Sequence, residues 1–183
     1  AIRALDMRKE RKETGLFLAE GASILMMARA AGFRPETLVY RAGALETDTQ
    51  IRLVNTTLDE GAEVLEVSGA VLEKLAAKEN PQTMLGVFKQ RWATLPDLTS
   101  IPQKSVWLAL EDIRDPGNLG TIIRTADAVG AAGIILVGQC TDPYSREAVR
   151  ASMGSIFAVP VARMERADFL ELAYAWPASG GGT

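Results

Sequence analysis

The sequence predicts an α/β protein in two parts, a small N-terminal α/β domain followed by a domain built on a parallel sheet. Short apolar runs alternate with stretches of helical periodicity on both sides of residue 100, a pattern typical of strands joined by helices. Residues 93–103 carry two prolines and little periodicity, as linkers do. We therefore place the first domain at residues 1–92, the linker at 93–103 and the second domain at 104–183.

The first domain opens with a basic arm and the apolar run 16–18, after which helices and strands alternate. Gly32 ends the first long helix, and Ser68 is a good N-cap for the last one. Pro81 separates that last helix from the strand behind it. The pattern predicts helices at residues 22–31, 49–60 and 68–77, and strands at residues 37–40, 63–67 and 84–88.

The second domain repeats the alternation. Its crossovers through helices predict a parallel sheet covered on both faces. Residues 176–183 are rich in Pro, Gly and Ser, which indicates a loop. The pattern predicts strands at residues 105–110, 133–137 and 155–161, and helices at residues 118–129 and 145–151.

Composition excludes several classes of enzyme. The chain has no histidine, which rules out Ser-His-Asp and Cys-His catalysis. The single cysteine, Cys140, allows neither a Cys/His zinc site nor a disulfide framework, and we expect it to be an unreactive thiol. No apolar run approaches the roughly 18 residues of a membrane helix, and the first residues show no signal-peptide pattern. The sequence therefore predicts a cytoplasmic protein without a metal.

Charge is distributed unevenly. The net charge is −3, yet residues 1–41 hold eight Lys or Arg against five Asp or Glu, whereas residues 42–80 hold three against eight. The basic residues are densest at the start, where Arg3 is followed by Arg8, Lys9, Arg11 and Lys12. This arm is either a solvated helix face with i,i+4 ion pairs or a contact surface for phosphates.

Residues 111–130 carry the most chemical information. They follow a strand and lead through a glycine-containing turn into a helix, where α/β sheets bind ligands. Gly117 and Gly120 permit close approach of a ligand, and Asn118 can cap the helix. Neither GxGxxG nor GxxxxGK[ST] occurs here, which argues against a conventional dinucleotide or NTPase site. On spacing alone the turn could equally connect strand to helix without any ligand.

Arg124 lies one turn beyond Gly120 on the predicted helix. Two interpretations stay open from the helix alone. The guanidinium either forms an i,i+3 pair with Asp127 on the surface or faces a ligand at this end of the sheet.

Two motifs together resemble a known family. Asn118-x-Gly-x-x-x-Arg-Thr-Ala126 followed by Gly130 matches the first signature of the SpoU-type (TrmH-like) RNA ribose 2′-O-methyltransferases of the SPOUT, or trefoil-knot, class. Residues 142–161, which contain Arg-Ala-Ser-Met-Gly at 150–154, resemble the second signature. Residues 11–21 and Asn-Pro-Gln at 80–82 are similar to the start and end of the substrate-binding domain that precedes the catalytic domain in many members.

The resemblance implies methyl transfer from S-adenosylmethionine to a ribose 2′-hydroxyl of RNA by a homodimer, with rRNA favoured over tRNA as the substrate. Arg124 would be the catalytic arginine, holding a phosphate and lowering the pKa of the hydroxyl. It would not act as a general base, because a guanidinium is already protonated and hard to deprotonate. Asn118 would position the ribose or Arg124, and Gly120 would leave room. The other implied site residues are Gly138 for the cofactor, Arg150, Ser152 and Gly154 for the RNA side of the site, and Arg8, Lys9, Arg11 and Lys12 for RNA phosphates.

One part of the family pattern is missing. The third signature, a Gly-Asn-Glu turn and a Ser-Leu-Asn helix that supply much of the cofactor pocket, does not occur after Phe169. We therefore expect the sequence either to lack its natural C-terminus or to omit disordered residues. Two alternatives remain: a non-catalytic RNA-binding or ribosome-assembly factor with the same fold, and a small-molecule enzyme with Asp112 and Asp115 as bases.

Overall fold

Two β-sheets organise the structure, a computed structural model that describes residues 2–79, 81–94 and 105–176. In the first domain the helices and strands agree with the predicted ones to within about two residues at each end. The 3₁₀ turn Ile2–Asp6 is followed, in chain order, by α1 (Arg8–Thr14), β1 (Leu16–Glu20), α2 (Ala22–Ala30), β2 (Thr37–Arg41), α3 (Asp48–Asp59), β3 (Glu63–Val67), α4 (Gly69–Ala76) and β4 (Met84–Lys89).

The first sheet has the strand order β1-β4-β2-β3. β2 and β3 are parallel, whereas β4 runs antiparallel to both of its neighbours. Phe17 pairs with Phe88 in the β1–β4 register, so two aromatic side chains emerge together on the face that meets the second domain. Ser68 caps α4 as predicted, since its hydroxyl accepts the Val71 N–H at 3.4 Å.

The second sheet is parallel, as the sequence predicts, with the order β5-β6-β7. Leu119, Ile123 and Val149 pack on Ile134 and Leu136, so α5 and α6 cover one face. α7 lies beside the other face, where Phe169 and Leu170 share a cavity with Ala109 and Val137. The elements are β5 (Trp107–Glu111), α5 (Pro116–Ala128), β6 (Gly133–Val137), α6 (Arg146–Ser152), β7 (Val161–Met164) and α7 (Arg166–Ala175).

The strand predicted at residues 155–161 is wrong. Positive φ angles at Met153 and Gly154 end α6 in a turn, and Ser155–Phe157 forms a 3₁₀ turn before the strand Val161–Met164. Ile156 and Phe157 are apolar because this turn is buried, and a short apolar run does not distinguish a buried turn from a strand. Helix α7 was not predicted, and none of its residues is fully buried.

Residues 95–103 of the predicted linker lie outside the described residues. Its first residue is anchored, because the Ala93 N–H donates to the Val161 carbonyl of β7 at 2.8 Å. The predicted domain boundaries remain predictions.

One hydrophobic cluster joins the two sheets. Phe17 of β1 lies 4.6 Å from Tyr144 and 5.6 Å from Phe157 between ring centroids, and Phe88 lies 5.0 Å from Phe157. Phe17 and Phe88 are completely buried, and each such aromatic contact contributes about 0.5–1.5 kcal/mol beyond the area it buries. The two parts of the chain therefore share a core and hold a fixed mutual orientation.

Among the helices in the described ranges, none has both the length and the apolar character needed to cross a lipid bilayer.

Candidate functional site

The carboxyl ends of β5 and β6 are tied together by a side-chain contact. Asp112, which follows β5 with a φ of 49°, accepts the Gln139 N–H on Oδ1 at 2.8 Å. Gly138 lies between them with a φ of 70°, and a Cβ there would come within 2.7 Å of the same carboxylate oxygen. Gly138, the predicted cofactor residue, therefore lies exposed at the expected edge of the sheet, where only glycine fits.

Helix α5 begins earlier than predicted. Asp115 is its N-cap and accepts the Asn118 N–H at 2.6 Å, while Pro116 takes the first helical position. Asn118 is therefore not the cap that the sequence suggested. Its backbone is engaged within the helix, and its exposed side chain is free to meet a ligand at the edge where β5 ends.

Arg124 lies six residues beyond Asn118 on α5, about 9 Å along the helix axis. Its side chain is exposed and makes no hydrogen bond or ion pair with any residue in the described ranges. The alternative surface pair with Asp127 does not form, because Asp127 accepts the Ser155 hydroxyl at 2.7 Å. Thr121, between Asn118 and Arg124, donates to the Gly117 carbonyl. Arg124 is thus an unneutralised cation on the same helix as Asn118, about 120° from it around the helix axis.

Gly120 serves a packing role. It is buried where α5 crosses α6, and a Cβ on it would lie 2.4 Å from the Ala148 carbonyl oxygen and 2.6 Å from the Ala151 Cβ. The resemblance implied that this glycine leaves room for Arg124 or the ribose. In the structure the space it leaves is filled by the backbone of the neighbouring helix.

Ser152 and Gly154, both expected on the RNA side of the site, are buried. The Ser152 side chain is fully buried, and its hydroxyl donates to the Val149 carbonyl at 2.8 Å. Gly154 has a φ of 94°, and a Cβ there would lie 2.6 Å from the Met27 sulfur of α2. Both residues pack the second signature against its surroundings, and neither presents a side-chain atom to an RNA.

Arg150 lies at the boundary between the domains. Its guanidinium donates to Glu20 of β1 at 2.6 Å and to the Ala76 carbonyl at 2.9 Å. Arg146, one turn earlier, donates to Asp6 at 2.6 Å and reaches Glu20 at 3.5 Å. Two arginines of the second signature therefore hold the first domain in place, and Arg150 keeps only part of its side chain exposed.

Arg11 is buried, unlike its basic neighbours. It is 4% exposed, its Nε donates to the Asp142 carboxylate at 2.8 Å, and its Nη1 donates to the Leu5 and Asp6 carbonyls at 2.8 Å. A phosphate can reach this guanidinium only if those bonds break. The expectation that Arg11 contacts RNA is therefore corrected, because its charge is already neutralised inside the protein.

The other basic residues of the arm are accessible. Arg8, Lys9 and Lys12 are exposed on α1, where Lys9 lies 3.8 Å from Glu13 in an i,i+4 pair. Such an exposed pair is worth only about 0.3–0.5 kcal/mol, so a phosphate competes easily for Lys9. The structure thus separates one structural arginine from three available cations that charge alone could not distinguish.

Sequence reasoning gave no role to Tyr144. Its ring is buried, and its hydroxyl accepts the Arg91 N–H at 3.1 Å and donates to the Arg91 carbonyl in a short hydrogen bond. Burial raises the pKa of Tyr144 to about 12. Tyr144 lies within the second signature and binds the end of the first domain. This contact joins two segments far apart in sequence, so it could be found only from the structure.

A cavity of about 230 Å³ opens beside the ends of β5 and β6. Across it, Arg166 lies 3.2 Å from the Glu111 carboxylate. Over the described ranges, no group of three or more Asp, Glu, Cys or His side chains could bind a metal ion. The lining residues are Ala109, Glu111, Val137, Arg166, Phe169 and Leu170.

Two family models match the chain. Residues 1–86 match the MRM3-like substrate binding domain, and residues 105–175 match the SpoU rRNA methylase family.

Two protein relatives match along most of the chain. An uncharacterized tRNA/rRNA methyltransferase of Synechocystis is 34% identical over 90% of this chain and 58% of its own length. A 23S rRNA (uridine(2479)-2′-O)-methyltransferase of Streptomyces viridochromogenes is 33% identical over 87% of this chain and 55% of its own length. This chain thus spans less than two thirds of the length of either relative.

Solved structures agree with the sequence matches. The AdoMet-bound rRNA methyltransferase from Sinorhizobium meliloti superposes with a TM-score of 0.85 at 44% identity, covering 96% of this chain and 64% of that one. The SpoU methyltransferase AviRb from Streptomyces viridochromogenes, in complex with AdoMet, gives a TM-score of 0.83 at 28% identity, covering 98% and 67%. Residues 105–175 thus belong to the SpoU rRNA methylase family, and residues 1–86 match the MRM3-like substrate binding domain.

Proposed function

We propose that this protein transfers a methyl group from S-adenosylmethionine to a ribose 2′-hydroxyl of ribosomal RNA. The observation that carries the proposal is Arg124, an exposed guanidinium without a partner in the described ranges, on the same helix as Asn118. This helix begins just beyond the carboxyl end of β5, where parallel α/β sheets bind ligands. The names of the relatives, which include two 23S rRNA 2′-O-methyltransferases, support this substrate class.

Arg124 acts on the nucleophile by electrostatics. A ribose hydroxyl is a poor nucleophile at neutral pH, and a fixed cation beside it lowers the free energy of the developing alkoxide. A guanidinium does not give up its proton readily, so we assign Arg124 the role of a fixed cation and not that of a base. Its planar fork can hold the adjacent phosphate with one edge, which orients the ribose.

Asn118 completes the orientation. Its exposed amide offers both a donor and an acceptor, so it can hold a ribose hydroxyl near the start of the helix that also carries Arg124. Asp112 and Asp115, the bases of the small-molecule alternative, already accept backbone N–H groups from Gln139 and Asn118. We therefore assign both aspartates to the architecture of the edge.

The cofactor site is only partly supplied by the described residues. When bound, S-adenosylmethionine supplies an activated methyl group on its sulfonium. The cavity at the ends of β5 and β6 is lined by four apolar residues and the Glu111–Arg166 ion pair, and its volume is about 230 Å³, which is below the roughly 300–1,000 Å³ usual for ligand sites. Its residues thus fit one wall of the site. Gly138, at the same edge, leaves its backbone accessible for the cofactor.

The RNA side of the proposal rests on the exposed cations of α1. Arg8, Lys9 and Lys12 are placed to bind backbone phosphates, which position an RNA without reading its sequence. Arg150 keeps part of its side chain exposed in the interdomain cleft. Arg11, Ser152 and Gly154 are left out of this surface because they are buried.

A homodimer, a trefoil knot and a cytoplasmic location are further parts of the proposal that rest on the family resemblance and the composition. Sedimentation velocity tests the dimer directly.

Transfer of tritiated methyl groups from S-adenosylmethionine to an unmodified 23S rRNA transcript tests the activity. We expect incorporation by the wild type, at least a hundredfold loss in both Arg124→Lys and Arg124→Ala, and no loss in Arg52→Ala, an exposed arginine on α3. RNA binding without heat of S-adenosylmethionine binding in calorimetry would instead identify a non-catalytic RNA-binding factor.

A further inference from the structure

Two guanidinium groups, those of Arg8 and Arg163, lie apart from Arg124, where the first domain meets the loop after β6. Arg8 of α1 donates from Nη2 to the Cys140 carbonyl at 3.4 Å. Arg163 of β7 lies flat on Trp92, with its Cζ 3.5 Å from the ring centroid. Both arginine side chains remain exposed to solvent.

Asp142, the carboxylate whose charge acts on Arg163, is already occupied. Asp142 accepts Arg11 Nε on Oδ2 at 2.8 Å and the Tyr144 N–H on Oδ1 at 2.9 Å. Neither Arg8 nor Arg163 forms a side-chain ion pair with a residue in the described ranges, and the Arg163 side chain makes no hydrogen bond there. Asp142 therefore neutralises Arg11, while Arg8 and Arg163 have no ion-pair partner in the described part of the chain.

The charges also act on one another. Burial lowers the pKa of Arg163, Asp142 partly restores it, and the charge of Arg8 lowers it again. Two like charges held together are unfavourable unless an anion joins them. Trp92 fixes the plane of the Arg163 guanidinium, so its N–H groups are oriented before any ligand arrives.

We propose that Arg8 and Arg163 form a binding site for a backbone phosphate of the RNA substrate. This inference rests on the proposed function. The anion bridges the two guanidinium groups and replaces the weak bond from Arg8 to the Cys140 carbonyl. Arg163 covers one face of the Trp92 ring, so a base cannot stack on that face. The site therefore binds a phosphate.

The location connects the phosphate site with the candidate active site. Cys140 lies two residues beyond Gly138, and the Thr141 N–H donates to the Ile113 carbonyl at 2.7 Å, which ties this loop to the one that leads into α5. A phosphate at Arg8 and Arg163 therefore fixes an RNA strand at the edge that carries Asn118. The proposed site takes one arginine from each domain, so its geometry depends on how the two domains are oriented.

Binding of an unmodified 23S rRNA transcript, titrated between about 50 and 200 mM salt, tests the inference. We expect Arg8→Ala and Arg163→Ala each to weaken binding about three- to tenfold and to reduce the slope of log K against log salt by about 0.7. The double variant should lose less than the product of the two single losses, because both groups hold one phosphate. Arg163→Lys should keep the salt slope.

Arg52→Ala on α3 is the matched control and should bind like the wild type. A wild type that does not bind the RNA overturns the proposed function and this inference together. A wild type that binds, with Arg8→Ala and Arg163→Ala indistinguishable from Arg52→Ala, overturns the inference alone. Arg8 is exposed, so Arg8→Ala stays informative even if Arg163→Ala disturbs folding; a thermal unfolding curve for each variant establishes this.

Discussion

Arg11 donates from Nε to the Asp142 carboxylate over 2.8 Å, with both side chains more than nine-tenths buried. The pair joins the N-terminal arm to the loop that opens the second signature. A buried ion pair stabilises the fold only while both partners are present, because removal of one partner leaves the other charged, buried and unpaired.

Arg11→Ala should therefore lower the free energy of unfolding by about 3–5 kcal/mol. Urea denaturation followed by circular dichroism measures this. The matched control is Lys12→Ala, the adjacent exposed cation, which should change stability by less than about 0.5 kcal/mol. Equal effects of the two variants would contradict the structural role of Arg11.

Glu20 holds the two domains together through Arg146 and Arg150, and its side chain is 9% exposed. Glu20→Gln should loosen this contact and cost about 2–3 kcal/mol, because the nearby arginines lose their carboxylate. Hydrogen exchange should show faster exchange of α6 amides. Glu36→Gln, whose pair with Lys89 is exposed, should cost no more than about 1 kcal/mol. Unchanged hydrogen exchange of the α6 amides in Glu20→Gln would contradict the role of Glu20 in holding the two domains together.

Gly120 and Gly117 provide a matched pair on one helix. Gly120→Ala should destabilise by about 1–3 kcal/mol, because its Cβ would meet the Ala148 carbonyl oxygen at 2.4 Å. A Cβ at Gly117 would meet only Asp115 Oδ1, at 3.4 Å. Gly117→Ala should therefore raise the free energy of unfolding by about 0.4–1 kcal/mol, because alanine restricts the unfolded chain. Thermal unfolding measures both. A stable Gly120→Ala variant would mean that α5 and α6 are farther apart than described.

Tyr144 makes stability depend on pH in the alkaline range. Burial raises its pKa from 10.0 to about 12, so between these values the folded protein keeps a proton that the unfolded chain loses. Stability is then lost as pH rises from 10 towards 12, by up to about 1.4 kcal/mol per pH unit. Tyr144→Phe should remove this part of the pH dependence in urea titrations, whereas Tyr174→Phe, which alters a side chain that is 82% exposed, should keep it. An identical pH dependence in both variants would exclude Tyr144 as its source.

Much of the fold could be predicted from the sequence, because local signals dominate it. Ser68 capped α4 as expected, and residues 63–67, which combine charged and apolar side chains, and the apolar run 133–137 were strands with the predicted bounds. Prediction failed at residues 155–161, where burial produced an apolar run without strand geometry. It also missed α7, whose residues are largely exposed and give little periodic signal.

The candidate site was predictable only in part, for a similar reason. Spacing drew attention to Asn118 and Arg124, and the structure leaves both exposed on one helix. The partners of charged residues are set by tertiary contacts, so sequence could not separate buried Arg11 from exposed Arg8. Arg163 had no motif at all, and its position on Trp92 follows from the packing of two distant segments.

Mapping of 2′-O-methyl groups in 23S rRNA tests the central claim most directly. RNA would be taken from cells that lack the gene and from cells complemented with wild type, Arg124→Ala or Arg52→Ala. We predict one ribose methylation that is absent without the gene, restored by wild type and Arg52→Ala, and absent with Arg124→Ala. An unchanged methylation map in cells without the gene, or full restoration by Arg124→Ala, would contradict the account.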